Sequence, residues 1–245
     1  MSTFTVLDLL DLDLKEHNSL NLKCLGGRPG LVRSIQEPEI NRPGLTLSGF
    51  FEEFAYQRIQ LFGRGETAYL EKLEAEGTMD AVQKIFSYPI PCCVFSNSST
   101  PGEAFMTIAE EAGCPILQTD LPSGEFALRL MRALNDIFAP KQTIHGVLIE
   151  VFGIGVLIRG ASGVGKSETA LELIERGHRL ITDDSVELKR INGNLLMGRA
   201  QNETLGHHME IRGLGIINVS HLFGVGAIRD KKQVQLIVEL EEWDP

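Results

Sequence analysis

Apolar and polar positions follow two rhythms along the 245 residues, and the change falls near residue 140. Leu7, Leu10 and Leu14 stand at helical spacing with acidic residues between them. The stretch GGRPGLVRSI places Gly and Pro punctuation before a short apolar run. Residues 48–62 read as a helix whose buried face is Phe50, Phe51, Phe54 and Ile59. Residues 90–95 form a brief apolar run between prolines and the SNSST cluster, which predicts a strand. Residues 101–111 predict the following helix, with Thr100 able to cap it and Pro101 suited to its first position. CPILQT predicts a second strand, and residues 124–138 a helix that ends at Ala139-Pro140. This β-α-β-α alternation predicts a small α/β domain with a parallel sheet.

Beyond Pro140 the pattern changes. Residues 143–151 and 155–158 predict two strands around a turn at Gly153, leading into a glycine-rich loop. The amphipathic segment SETALELIER follows, and Gly177 stops it. RLIT then predicts a short strand. The domain boundary is expected within residues 130–142, giving an amino-terminal α/β domain over 1–135 and a second domain over 136–245. At roughly 150 residues per domain, the length accommodates this division. No internal repeat is visible.

Composition narrows the function classes. Hydrophobic residues make up 43% and charged residues 23%, which is ordinary globular usage and argues against wholesale disorder. Lys and Arg number 23 against 33 Asp and Glu, a net charge of −10, so no nucleic-acid partner is expected. The longest apolar stretch, residues 146–158, contains Glu150 and is shorter than the ~20 residues a membrane span needs. The acidic amino-terminus does not read as a signal peptide. Cys24, Cys92, Cys93 and Cys114 lack zinc spacing and make a poor disulfide framework. They are read as reduced, small core residues of a cytoplasmic protein.

The sharpest chemical signal is GASGVGKS, comprising Gly160, Ala161, Ser162, Gly163, Val164, Gly165, Lys166 and Ser167. It matches the G-x-x-x-x-G-K-[ST] phosphate loop and sits between a predicted strand and a predicted helix. Glycines let backbone N–H groups face a phosphate without an obstructing Cβ, and the helix N-terminus adds partial positive charge. Lys166 can reach the β- and γ-phosphates of ATP, and the Ser167 hydroxyl can ligate Mg²⁺.

Asp183 and Asp184 end the RLIT strand, seventeen residues after Lys166. Ligands of open α/β sheets bind beyond the carboxyl ends of strands, so the pair can divide metal binding and proton acceptance. An Asx turn with two solvated carboxylates is the alternative. His145, on a strand ahead of the loop, reads either as a core residue or as a functional one. His207 and His208 read as a surface feature, since neighbours on a strand face opposite ways. Glu210 and Arg212 share a strand face, which suits metal-plus-phosphate work or a plain salt bridge.

Three segments in order resemble the bacterial HPr kinase/phosphorylase family: IHGVLIEVFGIGVLIRGASGVGKSETALELIERGHRLITDDSVEL, MEIRGLGIINVSHLFGVGAIRD and LIVELEEWDP. EINRPGLTLSGFF and YQRIQLFG are similar, more loosely, to that family's amino-terminal domain. The resemblance implies ATP-dependent phosphorylation of a serine on the phosphocarrier protein HPr, or a paralogue of it. It also implies the reverse reaction with inorganic phosphate, releasing pyrophosphate. It implies a P-loop fold of the phosphoenolpyruvate-carboxykinase type and a hexameric assembly. Carried over residue by residue, it implies catalytic roles for His145, Lys166 and the pair Asp183-Asp184, magnesium ligation by Ser167 and Glu210, and use of residues 209–218 in both activities.

Family members continue past the W-x-P at Trp243-Pro245, into a further active-site Arg, a loop implicated in dephosphorylation and helices at subunit contacts. The expectation is therefore of a chain cut short, which binds ATP but transfers phosphate poorly and assembles weakly. Two other classes compete: a P-loop enzyme for a small molecule, which leaves MEIRGLG unexplained, and a nucleotide-binding regulatory module without turnover.

Overall fold

A computed structural model of the chain describes residues 3–191, 195–201 and 207–242, so Trp243-Pro245 lie outside the described residues. The chain divides into two compact units, Met1–Phe138 and Ala139–Pro245.

The first unit is an α/β layer structure. Its elements are α1 (Val6–Lys15), β1 (Lys23–Gly26), β2 (Ile40–Asn41), α2 (Gly44–Leu47), β3 (Ile59–Phe62), α3 (Arg64–Ala75), α4 (Asp80–Phe86), β4 (Cys93–Phe95), α5 (Glu103–Glu111), β5 (Ile116–Gln118) and α6 (Ser123–Phe138). The sheet runs β1-β5-β4-β3-β2, with β2 to β5 parallel and β1 antiparallel to β5. Helices cover both faces. Residues of α3, α4 and α5 (Leu70, Val82, Ile85, Phe105) pack with Phe62 and Phe95 on one face. Residues of α1 and α6 (Val6, Leu9, Phe126, Leu130) pack with Ile59, Leu61 and Val94 on the other. The rings of Phe62 and Phe95 stack at 4.7 Å, and Phe105 meets both edge-on. Cys92, Cys93 and Cys114 are buried and Cys24 is half-buried, all as free thiols.

Three expectations for this unit require correction. The apolar stripe of α1 is not Leu7, Leu10 and Leu14; Leu7 and Leu14 are exposed, and Val6, Leu9 and Asp13 face inward. Leucines lie on every side of this helix, so periodicity cannot choose its face. The Asp13 carboxylate does, by accepting from the backbone N–H groups of Leu20 at 2.6 Å and Leu22 at 2.8 Å.

Residues 48–62 form no long helix. A single turn, α2, is followed by Gly49 at φ +97° and by irregular turns, where Phe54 meets Phe51 and Tyr88 edge-on. Ile59 belongs to β3, and Phe50 is exposed. Every residue of β3 is buried because both sheet faces are covered, and such a strand lacks the alternation that marks a half-exposed one.

Helix α5 begins at Glu103 without a cap from Thr100. The Glu74 carboxylate, near the end of α3, instead accepts from the Ala104 N–H at 2.7 Å. Gly102 permits this approach, since a Cβ there would stand 1.7 Å from Glu74 Oε2.

The second unit contains β6 (Lys141–His145), β7 (Val147–Val151), β8 (Ile154–Gly160), α7 (Lys166–Glu175), β9 (Arg179–Thr182), β10 (Ser185–Ile191), β11 (Leu195–Ala200), β12 (His208–Ile211), β13 (Gly215–Asn218), α8 (Val219–Phe223) and β14 (Lys231–Leu240). The expected strand over 143–151 is two strands, which part at Gly146 and pair with different neighbours. The seven-stranded sheet runs β6-β10-β11-β14-β8-β7-β9, and β12 and β13 form a separate hairpin. The sheet is strongly bent: Leu148, Leu157 and Ile181 from one half meet Val186, Leu188 and Leu196 from the other. A Cβ on Gly198 of β11 would stand 2.4 Å from Leu148 Cδ2, so glycine sets this close packing. The opposite face of β7 and β8 is covered by α7, by Met209 and Ile211 of β12, and by Val219.

Strands β8 and β14 are parallel, and both β8 and β9 run antiparallel to β7 between them. The carboxyl ends of β8, β9 and β14 therefore share one edge. At the other edge the nearly buried Glu150 accepts from Arg229 at 2.6 Å and lies 2.8 Å from Lys232 Nζ. Glu150 pairs across the ladder with Gly155 and Arg179, so this ionic clasp is remote from the phosphate loop.

Candidate active site

The phosphate loop joins the end of β8 to the start of α7. Its three glycines all have positive φ: +143° at Gly160, +82° at Gly163 and +102° at Gly165, which caps α7. These conformations are accessible to glycine and disfavoured for other residues. The resulting loop leaves backbone N–H groups at the head of α7, where anions are stabilised. Lys166 starts the helix, and its Nζ donates to the carbonyls of Gly160 at 3.1 Å and Ala161 at 2.8 Å. The ammonium is thus held over the first residues of the loop.

Ser167 points to the neighbouring strand. Its Oγ donates to the Asp183 carboxylate, 3.0 Å from Oδ1 and 3.1 Å from Oδ2. The backbone N–H of Glu210 donates to Asp183 Oδ2 at 3.3 Å. Burial pushes the Asp183 carboxyl above its ordinary range; the Ser167 hydroxyl and the backbone N–H groups of Glu210 and Asp184 oppose this, while the charge of the Asp184 carboxylate reinforces it. A hard cation beside Asp183 would favour its ionised form. A hydroxyl and a carboxylate in contact are a donor set suited to Mg²⁺.

Asp184 is placed differently. Its backbone is left-handed, at φ +66°, so consecutive carboxylates diverge. The Asp184 side chain is 86% exposed, and its Oδ1 lies 3.6 Å from His145 Nδ1. The register of β6 on β10, with Ser185 opposite His145, brings these two together. The core-residue reading of His145 is excluded, since its side chain is 90% exposed.

The hairpin β12–β13 supplies the remaining candidates. Met209 and Ile211 are buried and Glu210 projects outward between them, as strand alternation requires. Arg212 lies beyond the strand, in a turn closed by a 3.0 Å bond from Leu214 N to Ile211 O. Its Nη2 stands 3.2 Å from where a Cβ on Gly163 would be. Spacing gave no sign of this contact, which joins segments about fifty residues apart. The surface reading holds incompletely for the histidine pair: His207 Nδ1 is buried without a hydrogen-bond partner, and its Nε2 lies 3.8 Å from Asp230. His208 Nε2 lies 3.2 Å from Asn218 Nδ2. Among the described residues no group of three or more His, Cys, Asp or Glu is disposed to hold a metal by protein ligands alone. Also among them, no helix is long and apolar enough to cross a membrane.

The family profile described as HPr Serine kinase C-terminal domain matches residues 136–245, and that described as HPr Serine kinase N terminus matches residues 12–134. A relative named HPr kinase/phosphorylase, from Treponema pallidum subsp. pallidum, is 59% identical over 236 residues, covering 96% of this chain and 74% of its own. A relative of the same name from Leptospira biflexa is 48% identical over 231 residues, covering 94% of this chain and 71% of its own. A third, from Alkaliphilus metalliredigens, is 42% identical across all of this chain and 76% of its own. With both halves of the chain matched in order and the phosphate loop set against an acidic pair, the chain belongs to the HPr serine kinase family.

Proposed function

We propose that this chain phosphorylates a serine of the phosphocarrier protein HPr with ATP, and reverses the reaction with inorganic phosphate to release pyrophosphate. Family membership supplies the substrate class. The observation that carries the chemistry is the division of labour between the two aspartates. Asp183 is tied to Ser167 of the phosphate loop, whereas Asp184 is free of that bond and faces solvent beside His145.

In the kinase direction the serine oxygen attacks the γ-phosphorus while Asp184 accepts the hydroxyl proton; the bond to the β-phosphate oxygen breaks and ADP leaves. In reverse, an oxygen of inorganic phosphate attacks the phosphoserine phosphorus. Protonated Asp184 returns its proton to the departing serine oxygen, and pyrophosphate forms. His145, whose Nδ1 lies 3.6 Å from Asp184 Oδ1, orients it. Lys166 exchanges the loop carbonyls for phosphate oxygens. Mg²⁺ supplies charge neutralisation on the phosphates when bound, and Ser167, Asp183 and Glu210 are the residues to hold it.

The mixed sheet with its loop after β8 and acidic pair after β9 supports a P-loop domain of the phosphoenolpyruvate-carboxykinase type over 136–245, behind an amino-terminal domain over 1–135. Exposed Leu214, Ile216, Leu222 and Val225 on one stretch of the second unit support self-association, for which the family resemblance supplies the hexamer. The test is to incubate the chain with ATP, Mg²⁺ and HPr and to detect phosphoserine by mass spectrometry, with Lys166→Ala as the control. Phosphoserine made equally by both proteins, or by neither, overturns the reading.

A further inference from the structure

We infer that the buried hydroxyl of Thr182 is a positioning group for the carboxylate of Asp184: it holds the backbone of residues 183–185 in the conformation that sends the two aspartate side chains apart. The inference rests on the proposed division of labour, in which Asp183 serves the metal and Asp184 the proton.

Four observations carry it. The first is burial. Thr182 ends β9 at 4% exposure, after Leu180 and Ile181, which belong to different cores. A buried hydroxyl is unfavourable unless it is bonded, and valine would fill the same volume without that cost. The second is where the hydroxyl goes. Its Oγ1 stands 3.3 Å from the carbonyl oxygen of Asp183 and 3.2 Å from that of Ser185. One proton is shared between two acceptors that bracket Asp184.

The third observation is the conformation those bonds bracket. Asp184 has φ +66°, a region that residues with a side chain seldom occupy. The Asp183 carbonyl belongs to the peptide plane whose rotation changes ψ of Asp183 and φ of Asp184 together. Flipping that plane would return Asp184 to negative φ and swing its side chain away. The Thr182 hydroxyl and the Ser185 N–H, at 2.8 Å, both donate to this carbonyl and oppose the flip. The fourth is that the next carbonyl is also moored: the Gly146 N–H donates to Asp184 O at 3.1 Å. The turn is thereby tied to the backbone beside His145, and Asp184 Oδ1 comes to 3.6 Å from the imidazole while Asp183 bonds Ser167.

A proton acceptor works only within hydrogen-bond reach of the attacking hydroxyl, and a displacement of about 1 Å costs up to ~10²-fold in rate. Thr182 acts on that distance through the backbone, without touching phosphate or serine.

Three variants of the 245-residue chain test this well below their thermal midpoints. Thr182→Val keeps the volume and loses the hydroxyl; Thr182→Ser keeps the hydroxyl. Ile181→Val, one residue earlier in the core, lowers stability without removing a bond of the turn. In Thr182→Val, amide exchange at Gly146 and Ser185 should accelerate by about 10-fold, and kcat for HPr phosphorylation should fall by about 5- to 30-fold, the worth of one hydrogen bond. The KM for Mg-ATP should stay within about twofold, since the Ser167–Asp183 contact is kept. Thr182→Ser should restore both exchange and kcat, and Ile181→Val should keep the parental kcat. Parental exchange in Thr182→Val shows that the hydroxyl does not hold the turn, and the inference falls whatever the rate. Faster exchange with parental kcat, or an equal loss of kcat in Ile181→Val, overturns the positioning role. If the parent makes phosphoserine and Asp184→Asn does so at full rate, the reading of Asp184 as base fails and takes the inference with it; if the parent makes none, the proposed function itself falls.

Discussion

Gly160 and Leu240 face one another across the parallel pair β8–β14, and the Leu240 carbonyl oxygen stands 2.4 Å from where a Cβ on Gly160 would lie. The glycine that opens the phosphate loop is therefore also a packing requirement of the sheet. Gly160→Ala must displace a backbone carbonyl as well as adopt a disfavoured φ, and should cost at least ~2 kcal/mol. Gly165→Ala meets nothing within 4 Å, so it incurs backbone strain alone. Denaturant midpoints should fall further for Gly160→Ala than for Gly165→Ala. Equal midpoints would remove the packing argument.

The two aspartates should separate experimentally. Asp184→Asn keeps the Ser167–Asp183 contact, so it should bind Mg-ATP normally and lose ~10²–10⁴ in rate in both directions. Asp183→Asn should mainly weaken magnesium-dependent nucleotide binding. Calorimetry beside steady-state kinetics distinguishes them, and identical binding and rate profiles for the two variants would refute the division.

Glu150 supplies a pH-dependent prediction for stability. The Lys232 bond, then Arg229, hold its carboxyl below the ordinary value of 4.5 against the opposing effect of burial. A carboxylate more acidic in the folded state binds fewer protons there than when unfolded. Its contribution is present above the ordinary value and is lost as pH falls through the lower folded one. Glu150→Gln should reduce stability near neutral pH by about 1–3 kcal/mol and flatten the decline on acidification. Parallel melting curves from pH 7 downward would contradict this.

In the first unit, Asp13 is 2% exposed, and its carboxylate accepts from two backbone donors. Asp13→Ala leaves the Leu20 and Leu22 N–H groups without that acceptor and should cost about 2–4 kcal/mol. Hydrogen exchange should accelerate first at residues 20–22. Protection there unchanged from the parent would show another acceptor taking over.

The phosphate loop, its flanking strand and helix, and the acidic pair were legible because glycine spacing and a strand end are local signals. What was missed depended on long-range partners. Asp13 looked like an exposed polar position and decides which face of α1 is buried. Glu74 caps a helix thirty residues away, which no motif within residues 100–104 encodes. The buried run of β3 resembles a helix because a sheet covered on both faces erases alternation. Which aspartate faces the loop was beyond spacing, since it follows from the left-handed backbone at Asp184.

Strand β14 has a consequence for synthesis. It pairs with β11 through Lys231, Lys232 and Gln233, and with β8 from Val234 to Leu240, so it splices the two halves of the bent sheet. The strand that delivers the phosphate loop finds this parallel neighbour only 80 residues later. On a ribosome, residues 154–160 are exposed long before Leu240 emerges, and one flank of β8 must wait unpaired through that interval. The sheet of the nucleotide unit thus matures after that of the first unit, which already has all its strands by Gln118.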